Sequence, residues 1–327
     1  MDNHPISCYH LGHYFQVDGK QLQEQYKEHI SDFKDWDQKE HAHEWLVFPG
    51  NMGLSLGIDE TALSNGELYT IVTNKTAKGR KGSIVAMIKG TQAEQIIKVL
   101  QKIPERMRKR VQEVTMDMAP AMILAIKKCF KNASRVIDRF HVQKLAYDAV
   151  QEARIKYRWE AIDRENEAIA TAKRTKTAYI PELLENGDTL KQLLARSRYL
   201  LFKHFKKWTE TQKHRATLLF ERYPMIKKAY ALSTRLGDIF RDCKHKEIAF
   251  TKLALWYNQV EDSGIDAFKT VARSIEAHRF AIVNFFINRS TNASAESFNA
   301  KVKAFRATSR GVRDINFFLF RLAKIYA

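Results

Sequence analysis

The sequence predicts an α/β fold in which a mixed β-sheet core is interrupted by a large all-helical insertion. Between residues 53 and 145, segments rich in β-branched and aromatic residues alternate with segments of helical periodicity. Residues 146–285 then carry long amphipathic patterns with only two prolines and three glycines, which is typical of packed helices. Two further helical patterns occupy residues 286–327, and we expect them to complete the core.

The order of the elements in residues 53–145 specifies the type of sheet. Three strands, a helix, a strand, a helix and a strand are predicted, in the segments "GLSLGIDET", "GELYTIVTNK", "GSIVAMIKG", "TQAEQIIKVLQKI", "VQEVTMDMA", "PAMILAIKKCF" and "SRVIDRFHV". Pro120 opens the second of these helices, at a position where proline is well tolerated. This order is that of a ribonuclease-H-like mixed sheet, in which the first three strands are antiparallel neighbours.

Charge divides the chain unevenly. The 327 residues carry 55 Lys and Arg against 37 Asp and Glu, a net charge of +18. Residues 1–52 hold four lysines and nine acidic residues, so we interpret them as an acidic leader with one helical patch, whereas the remainder carries +23. The high positive charge of residues 53–327 indicates a polyanionic partner, most simply nucleic acid.

Several classes of protein are disfavoured by the sequence. Its longest apolar stretches, such as "FAIVNFFI", are far shorter than the ~20 residues that a membrane span needs. The first ten residues lack the basic and then apolar order of a signal peptide. Three isolated cysteines form neither a disulfide framework nor a zinc pattern. We therefore expect a soluble, cytoplasmic protein that has no membrane partner and is associated with the nucleoid when it binds DNA.

Three carboxylates are candidates for chemistry. Asp59 ends the first predicted strand, Asp117 ends the fourth, and Glu296 lies on a late helix. In a ribonuclease-H-like sheet the first and fourth strands are adjacent, so the two aspartates would meet. Glu60 would point to the opposite face and is left out. The simpler interpretation of each aspartate is a turn former or helix cap.

Clustered carboxylates repel one another unless a cation neutralises them. Hard oxygen ligands with open positions suit Mg²⁺ or Mn²⁺. Two such ions ~4 Å apart can activate an attacking oxygen and stabilise the leaving oxygen of a phosphodiester. The cofactor expected from the residues is therefore Mg²⁺ or Mn²⁺, as two ions.

The chain resembles the DDE transposases of bacterial insertion sequences, in particular the family founded on the ISL-three element. The resemblance rests on three ordered blocks: "GIDETA", "TMDMAPAMILAIKKCFKNASRVIDRFHVQKL" and "STNASAESFNAKVKAFRATSRGVRD". It implies that Asp59, Asp117 and Glu296 form a metal-binding catalytic triad. It also implies cleavage at transposon ends, strand transfer of the freed 3′-OH into target DNA, and a homodimer or larger multimer on DNA.

One departure from the family concerns recognition of the transposon ends. Family members usually carry an N-terminal zinc ribbon and helix-turn-helix, whereas this sequence has no CxxC pair. We interpret the chain as the catalytic part. End recognition would then come from a separate polypeptide, from an upstream frame encoding a helix-turn-helix, or from the basic insertion.

Further residues are candidates for supporting roles. Asp138, His141 and Asn299 are candidates for active-site support, the first two from the predicted fifth strand and the third from the Glu296 helix. The candidate DNA-binding cations are Arg139, Lys301, Lys303, Arg306, Arg310 and Arg313. A strand-end cluster and a solvated basic face are the simpler interpretations of these two sets.

The insertion contains "LFKHFKKW", in which basic and aromatic residues alternate. Such segments can stack on unpaired bases. However, Phe202, Phe205 and Trp208 also have the spacing of a helix core, and core packing is the interpretation that we favour.

Two other functions stay open from the sequence. A ribonuclease-H-like nuclease or resolvase would cleave without strand transfer. A non-enzymatic DNA-binding protein derived from a transposase would not need the three carboxylates to converge.

Overall fold

The structure is a computed structural model that describes residues 1–64, 67–308, 312 and 314–327. The chain forms two compact units. The first comprises residues 1–138 together with residues 288–327, and the second comprises residues 139–287. No helix of the described ranges is both long and apolar enough to cross a membrane.

A six-stranded mixed sheet forms the centre of the first unit. Its strands are β1 (Trp45–Val47), β2 (Ser55–Ser64), β3 (Glu67–Asn74), β4 (Ile84–Lys89), β5 (Glu113–Met116) and β6 (Ser134–Ile137). Their spatial order is β1-β4-β3-β2-β5-β6. The pairs among β1, β4, β3 and β2 are antiparallel, whereas β5 is parallel to β2 and β6 is parallel to β5. The predicted ribonuclease-H-like sheet is therefore confirmed.

The N-terminal segment supplies an edge strand that the sequence did not predict. Strand β1 pairs with β4, with Leu46 opposite Met87. It has only three residues, too few for a period of two to stand out. The same segment contains helices α1 (Cys8–Phe15) and α2 (Gly19–Gln25).

Helices cover both faces of the sheet. On one face lie α3 (Ala93–Leu100) and α5 (Pro120–Cys129), with the short α4 (Glu105–Arg108) between them in sequence. On the other lie α14 (Ala293–Thr308) and α15 (Ile315–Tyr326). The alternation along β2 sends Leu56 and Ile58 into the α3/α5 core.

The same alternation directs Gly57 and Asp59 toward α14. A Cβ added to Gly57 would lie 3.4 Å from the Cβ of Ala295 on that helix. Farther along the same face of the sheet, Tyr69 and Ile71 pack in one core with Phe298 and Val302 of α14. Docking of α14 therefore depends on this face of the sheet.

The second unit is helical, as predicted. Its helices are α6 (Arg139–Arg174), α7 (Leu190–Arg196), α8 (Glu210–Arg222), α9 (Pro224–Asp242), α10 (Lys246–Ser263), α11 (Asp266–Ala277), α12 (Arg279–Val283) and α13 (Phe285–Asn288), which ends at the boundary with the first unit. Trp256 of α10 is fully buried, and its indole N–H donates to the Leu232 carbonyl at 2.9 Å.

The prediction of a fifth strand through "DRFHV" is wrong. Strand β6 ends at Ile137, and α6 begins at Arg139. The buried residues Val142, Ala146 and Ala149 recur with a helical period, so the segment after Asp138 has a helix face to bury. Asp138 is consequently the junction residue, and His141 lies on a helix.

The prediction of core packing is also wrong for Phe205. Two 3₁₀ turns occupy the segment, Leu200–Phe202 and Phe205–Lys207, instead of one continuous helix. The ring of His204 accepts the N–H of Lys206 at 3.2 Å, a local bond that replaces a helical one. Leu201 is buried, whereas the Phe205 side chain is 46% exposed.

Two tryptophans allow a matched test of the helical core. Trp256→Ala should lower the free energy of unfolding by about 3–5 kcal/mol, since it removes a large buried ring and leaves a cavity. Trp159→Ala, at a site that is 59% exposed, should change it by less than about 0.5 kcal/mol. Urea denaturation followed by circular dichroism measures both. Equal effects would contradict the packing described for α10.

Candidate active site

Asp59 and Asp117 lie on neighbouring strands. Asp117 directly follows β5, whereas Asp59 is the fifth of the ten residues of β2, so the prediction that Asp59 ends its strand is wrong. The parallel register of β2 and β5 pairs Leu56 with Val114 and Gly57 with Thr115. Extended by two residues, this register would set Asp59 opposite Asp117. Asp117 Oδ1 also accepts the N–H of Ala119 at 2.8 Å, so it shapes the turn into α5 as well.

A third carboxylate adjoins this pair. The pKa of Glu60 is raised, first by burial and then by the negative charges of Asp117 and Asp59. Glu60 is not among the residues predicted from the sequence, because a regular strand would point it to the opposite face. Both aspartates lie close enough for their charges to raise the Glu60 pKa, so negative charge is concentrated around these three carboxylates. The adjacent acidic pair in "IDET" was the available signal.

Helix α14 approaches the first aspartate through Asn299. The Asn299 amide donates to Asp59 Oδ2 at 2.8 Å and to the Glu60 carbonyl at 3.4 Å. Meanwhile, Asp59 Oδ1 accepts the N–H of Glu60 at 2.9 Å. Glu296 lies one turn before Asn299, is exposed, and donates its backbone N–H to the Asn292 carbonyl at 3.0 Å. The structure therefore joins Asp59 to the helix that carries Glu296.

Asn292, immediately before α14, attaches this helix to two strands. Its backbone N–H donates to the Asp138 carboxylate beyond β6, and its side-chain amide donates to the Ile58 carbonyl of β2 at 3.0 Å. Asn292 is 1% exposed and Asp138 is 0% exposed. Gly57 leaves the necessary space, since an added Cβ would lie 2.7 Å from Asn292 Oδ1. We call this group of Asn292, Asp138, Ile58 and Gly57 the Asn292 clamp.

A second buried carboxylate anchors the segment that leads into α14. Glu113 of β5 accepts hydrogen bonds from Asn288 at 3.1 Å and Ser55 at 3.2 Å, and it pairs with Lys75 at 3.4 Å. Burial raises the Glu113 pKa, but hydrogen bonds from Ser290 and Asn288 and the charge of Lys75 outweigh it, so the net pKa is lowered. Glu113 is not among the residues predicted from the sequence, although a glutamate in the apolar run "VQEVTM" was a signal.

The candidate DNA-binding cations are distributed unevenly. Lys301 donates to the Gly79 carbonyl at 2.9 Å, Lys303 is exposed and Arg306 is half-buried. Arg310 and Arg313 lie outside the described residues.

Two other candidates belong to the second unit. Arg139 and His141 both lie in the first turn of α6. The guanidinium of Arg139 lies 4.9 Å from the centre of the Phe140 ring.

The candidate residues suit magnesium in their chemistry. Within residues 1–64, 67–308, 312 and 314–327, no group of three or more His, Cys, Asp or Glu side chains could hold one metal ion. Mg²⁺, however, is usually bound by one or two carboxylates together with substrate phosphates rather than by an all-protein cage. Two neighbouring aspartates, with neither thiol nor imidazole among the three candidates, fit that requirement.

Comparison with known proteins identifies the family. Residues 56–322 match the ISL3 family of DDE proteins, described as "Transposase". The chain belongs to this transposase family. The match starts within β2 and ends within α15, so the helical unit belongs to the ISL3-type transposase region as well.

One relative is the transposase for insertion sequence element IS1001 of Bordetella parapertussis. The two sequences are 23% identical over 270 residues, which cover 82% of this chain and 59% of the relative. This chain therefore spans about three fifths of the relative's length. No solved structure matches the chain.

The Asn292 clamp predicts a stability defect. Asn292→Ala removes the bond to Ile58 and leaves a buried carbonyl without its donor, which should lower the free energy of unfolding by about 1–3 kcal/mol. Asn166→Ala, at an exposed site on α6, should change it by less than about 0.5 kcal/mol. Urea denaturation of the two variants is the measurement. A loss no larger for Asn292→Ala than for the control would contradict the clamp.

Glu113 predicts a pH dependence. Its pKa is lowered in the folded chain, so its contribution to stability is present above the ordinary glutamate pKa of about 4.3 and is lost as the pH falls through the folded value. Glu113→Gln should therefore destabilise the protein more at pH 7 than at pH 3. Urea denaturation at both pH values, with the exposed Glu221→Gln as control, measures the difference. An equal loss at both pH values would contradict the ionised network.

Proposed function

We propose that this chain is the catalytic part of an insertion-sequence transposase that cleaves DNA at transposon ends and transfers the freed 3′-OH into target DNA. The observation that carries the proposal is the bond from Asn299 to Asp59. It joins the Glu296 helix to Asp59 of β2, which neighbours Asp117 after β5. Membership of the ISL3 transposase family supports the same function.

We assign Asp59, Asp117 and Glu296 as ligands of Mg²⁺ or Mn²⁺, as two ions. When bound, the ions would neutralise charge at the scissile phosphate and favour deprotonation of the attacking oxygen. Asn299 would hold the Asp59 carboxylate in one orientation.

DNA is the proposed partner, both as transposon ends and as target. The net charge of +18 supports this assignment. Lys303 and Arg306 follow Glu296 on α14 and would contact backbone phosphates, which position DNA without reading its sequence. Lys301 would add its charge, because the Gly79 carbonyl that it contacts does not neutralise it.

We further propose that the chain acts as a homodimer or larger multimer on paired transposon ends. Recognition of the end sequence would come from a separate or upstream-encoded helix-turn-helix polypeptide. Asp138, within the Asn292 clamp, would support the active site by holding α14.

The proposed chemistry predicts the effect of Asp59→Asn. The assay contains Mg²⁺ or Mn²⁺ and two oligonucleotides that carry the element's terminal repeat, one intact and one pre-cleaved. The wild-type chain should cleave the first and yield joined products from the second. Asp59→Asn should reduce cleavage and joining by at least about 100-fold, since it removes a ligand charge. Binding of the same DNA should change by less than about twofold, because the assigned phosphate contacts come from other side chains.

Asp163→Asn is the matched control, since Asp163 is exposed on α6 and outside the proposed site. It should leave both reactions unchanged. Full activity in Asp59→Asn would refute the assignment of the triad. Nicking by the wild-type chain without joining would instead establish a nuclease and refute strand transfer.

A further inference from the structure

An aromatic cavity lies within the helical unit, among α8, α9, α10 and the 3₁₀ turn Phe205–Lys207. It has a volume of about 720 Å³. Four aromatic side chains line it: Phe205, Trp208, Phe220 and Tyr230. The proposed transposase chemistry assigns no role to these rings.

The rings of this aromatic cavity are held in place. Trp208 and Tyr230 stack with centroids 5.2 Å apart and planes inclined by 27°, and Phe220 lies 5.4 Å from Tyr230. The indole N–H of Trp208 donates to the Leu200 carbonyl at 2.9 Å, and the Tyr230 hydroxyl donates to the Lys203 carbonyl at 2.8 Å. Both polar tips are therefore satisfied inside the protein. Tyr230 itself is buried, so the accessible ring surface comes from Phe205, Trp208 and Phe220.

Phe205 contributes exposed ring surface to this cavity. Its side chain is 46% exposed, although a phenylalanine gains about 1.5–3 kcal/mol when it is fully buried. The ring lies 4.3 Å from that of His204 with the planes 29° apart. The 3₁₀ turn, rather than a helix, presents this aromatic surface to solvent.

Cations surround the rings. Lys227, Lys228 and Arg235 of α9 line the same cavity and are exposed. Two acidic residues, Asp238 and Asp262, also line the cavity. The Asp238 carboxylate pairs with Arg241 at 2.6 Å and lies 3.3 Å from the His204 ring nitrogen.

Positive charge extends beyond the aromatic cavity. A second cavity of about 400 Å³ shares Tyr230, Thr234 and Asp238 with it. This second cavity adds four cationic residues: Arg139, Lys203, Lys207 and Arg241. Residues 139–287 as a whole hold 28 Lys and Arg against 18 Asp and Glu, so the unit carries a net charge of +10.

We propose that the aromatic cavity binds an unpaired base of single-stranded DNA, while the surrounding lysines and arginines hold its backbone phosphates. Flat apolar surface combined with cations matches a base and its flanking phosphates, and stacking tolerates any base. An uncharged apolar segment would leave the cations without a complementary partner. The choice of DNA rests on the proposed function, and the site would hold a strand that is unpaired during transposition.

The test is binding of a fluorescent oligodeoxythymidine, in the absence of divalent metal, to the full chain and two matched variants. Phe205→Ala should weaken single-strand binding about tenfold, the loss of one base stack. Phe250→Ala is the control, since Phe250 is 44% exposed in the same unit and does not line the cavity. It should change binding by less than about twofold. Phe205→Trp should restore binding, and Phe205→Ala should bind a duplex as the wild type does.

The salt dependence of single-strand binding tests the proposed phosphate contacts of Lys227 and Lys228. Lys227→Ala with Lys228→Ala should lower the slope of the logarithm of affinity against the logarithm of salt concentration by about 1.4, since each phosphate contact on a single strand contributes about 0.7. Unchanged single-strand binding in Phe205→Ala, or an equal loss in Phe250→Ala, would overturn the proposal. Phe205→Ala could instead change the sedimentation of the DNA-free protein while single-strand binding stays the same. That result would also overturn the proposal and would identify a contact between copies of the chain.

The single-strand measurement requires neither metal nor a cleavable bond. Asp59→Asn should therefore bind the oligonucleotide as tightly as the wild-type chain does. A wild-type chain that binds the single strand but does not join transposon ends would refute the proposed function alone. A wild-type chain that joins transposon ends but does not bind the single strand would refute the base site alone.

Discussion

Two buried hydrogen bonds of Asn292 govern the arrangement of the first unit. A carboxylate as deeply buried as that of Asp138 is costly unless donors satisfy it, and the Asn292 N–H is one of them. The side chain of the same residue donates to the Ile58 carbonyl of β2. One residue thus binds the end of β6, the middle of β2 and the start of α14. Gly57 permits the close approach, and the position of Glu296 follows from it.

This clamp matters because the chain leaves the first unit for a long distance. Asp117 and Glu296 are separated by 179 residues, most of them in the helical unit. Closing so long a connection has an entropic cost, although that cost grows only slowly with length. The polar contacts of Glu113 and the Asn292 clamp both act where the chain re-enters the first unit, between Asn288 and Asn292. Together they offset the cost of closure and fix α14 against β2, where Asn299 then reaches Asp59.

Periodicity and strand order predicted much of this arrangement. The apolar runs indicated five of the six strands, and adjacency of the first and fourth predicted strands brought Asp59 near Asp117. What the sequence did not reveal depends on contacts between distant segments. Asp138 was predicted as a strand residue, because its neighbours in sequence do not show that it accepts a hydrogen bond from Asn292, 154 residues away. The 3₁₀ turns that expose Phe205 arise from local bonds that helical spacing does not encode. Strand β1 is too short to carry a pattern.

The central claim is that Asp59, Asp117 and Glu296 serve one metal-dependent site. The most direct measurement is a crystal structure of the chain with Mn²⁺ and a transposon-end DNA, in which anomalous scattering locates the ions. We expect anomalous peaks in contact with the carboxylates of Asp59 and Asp117, with Glu296 at the same ions and Asn299 still bonded to Asp59. Ions bound elsewhere on the chain, or a Glu296 carboxylate remote from ions held by the two aspartates, would contradict the claim.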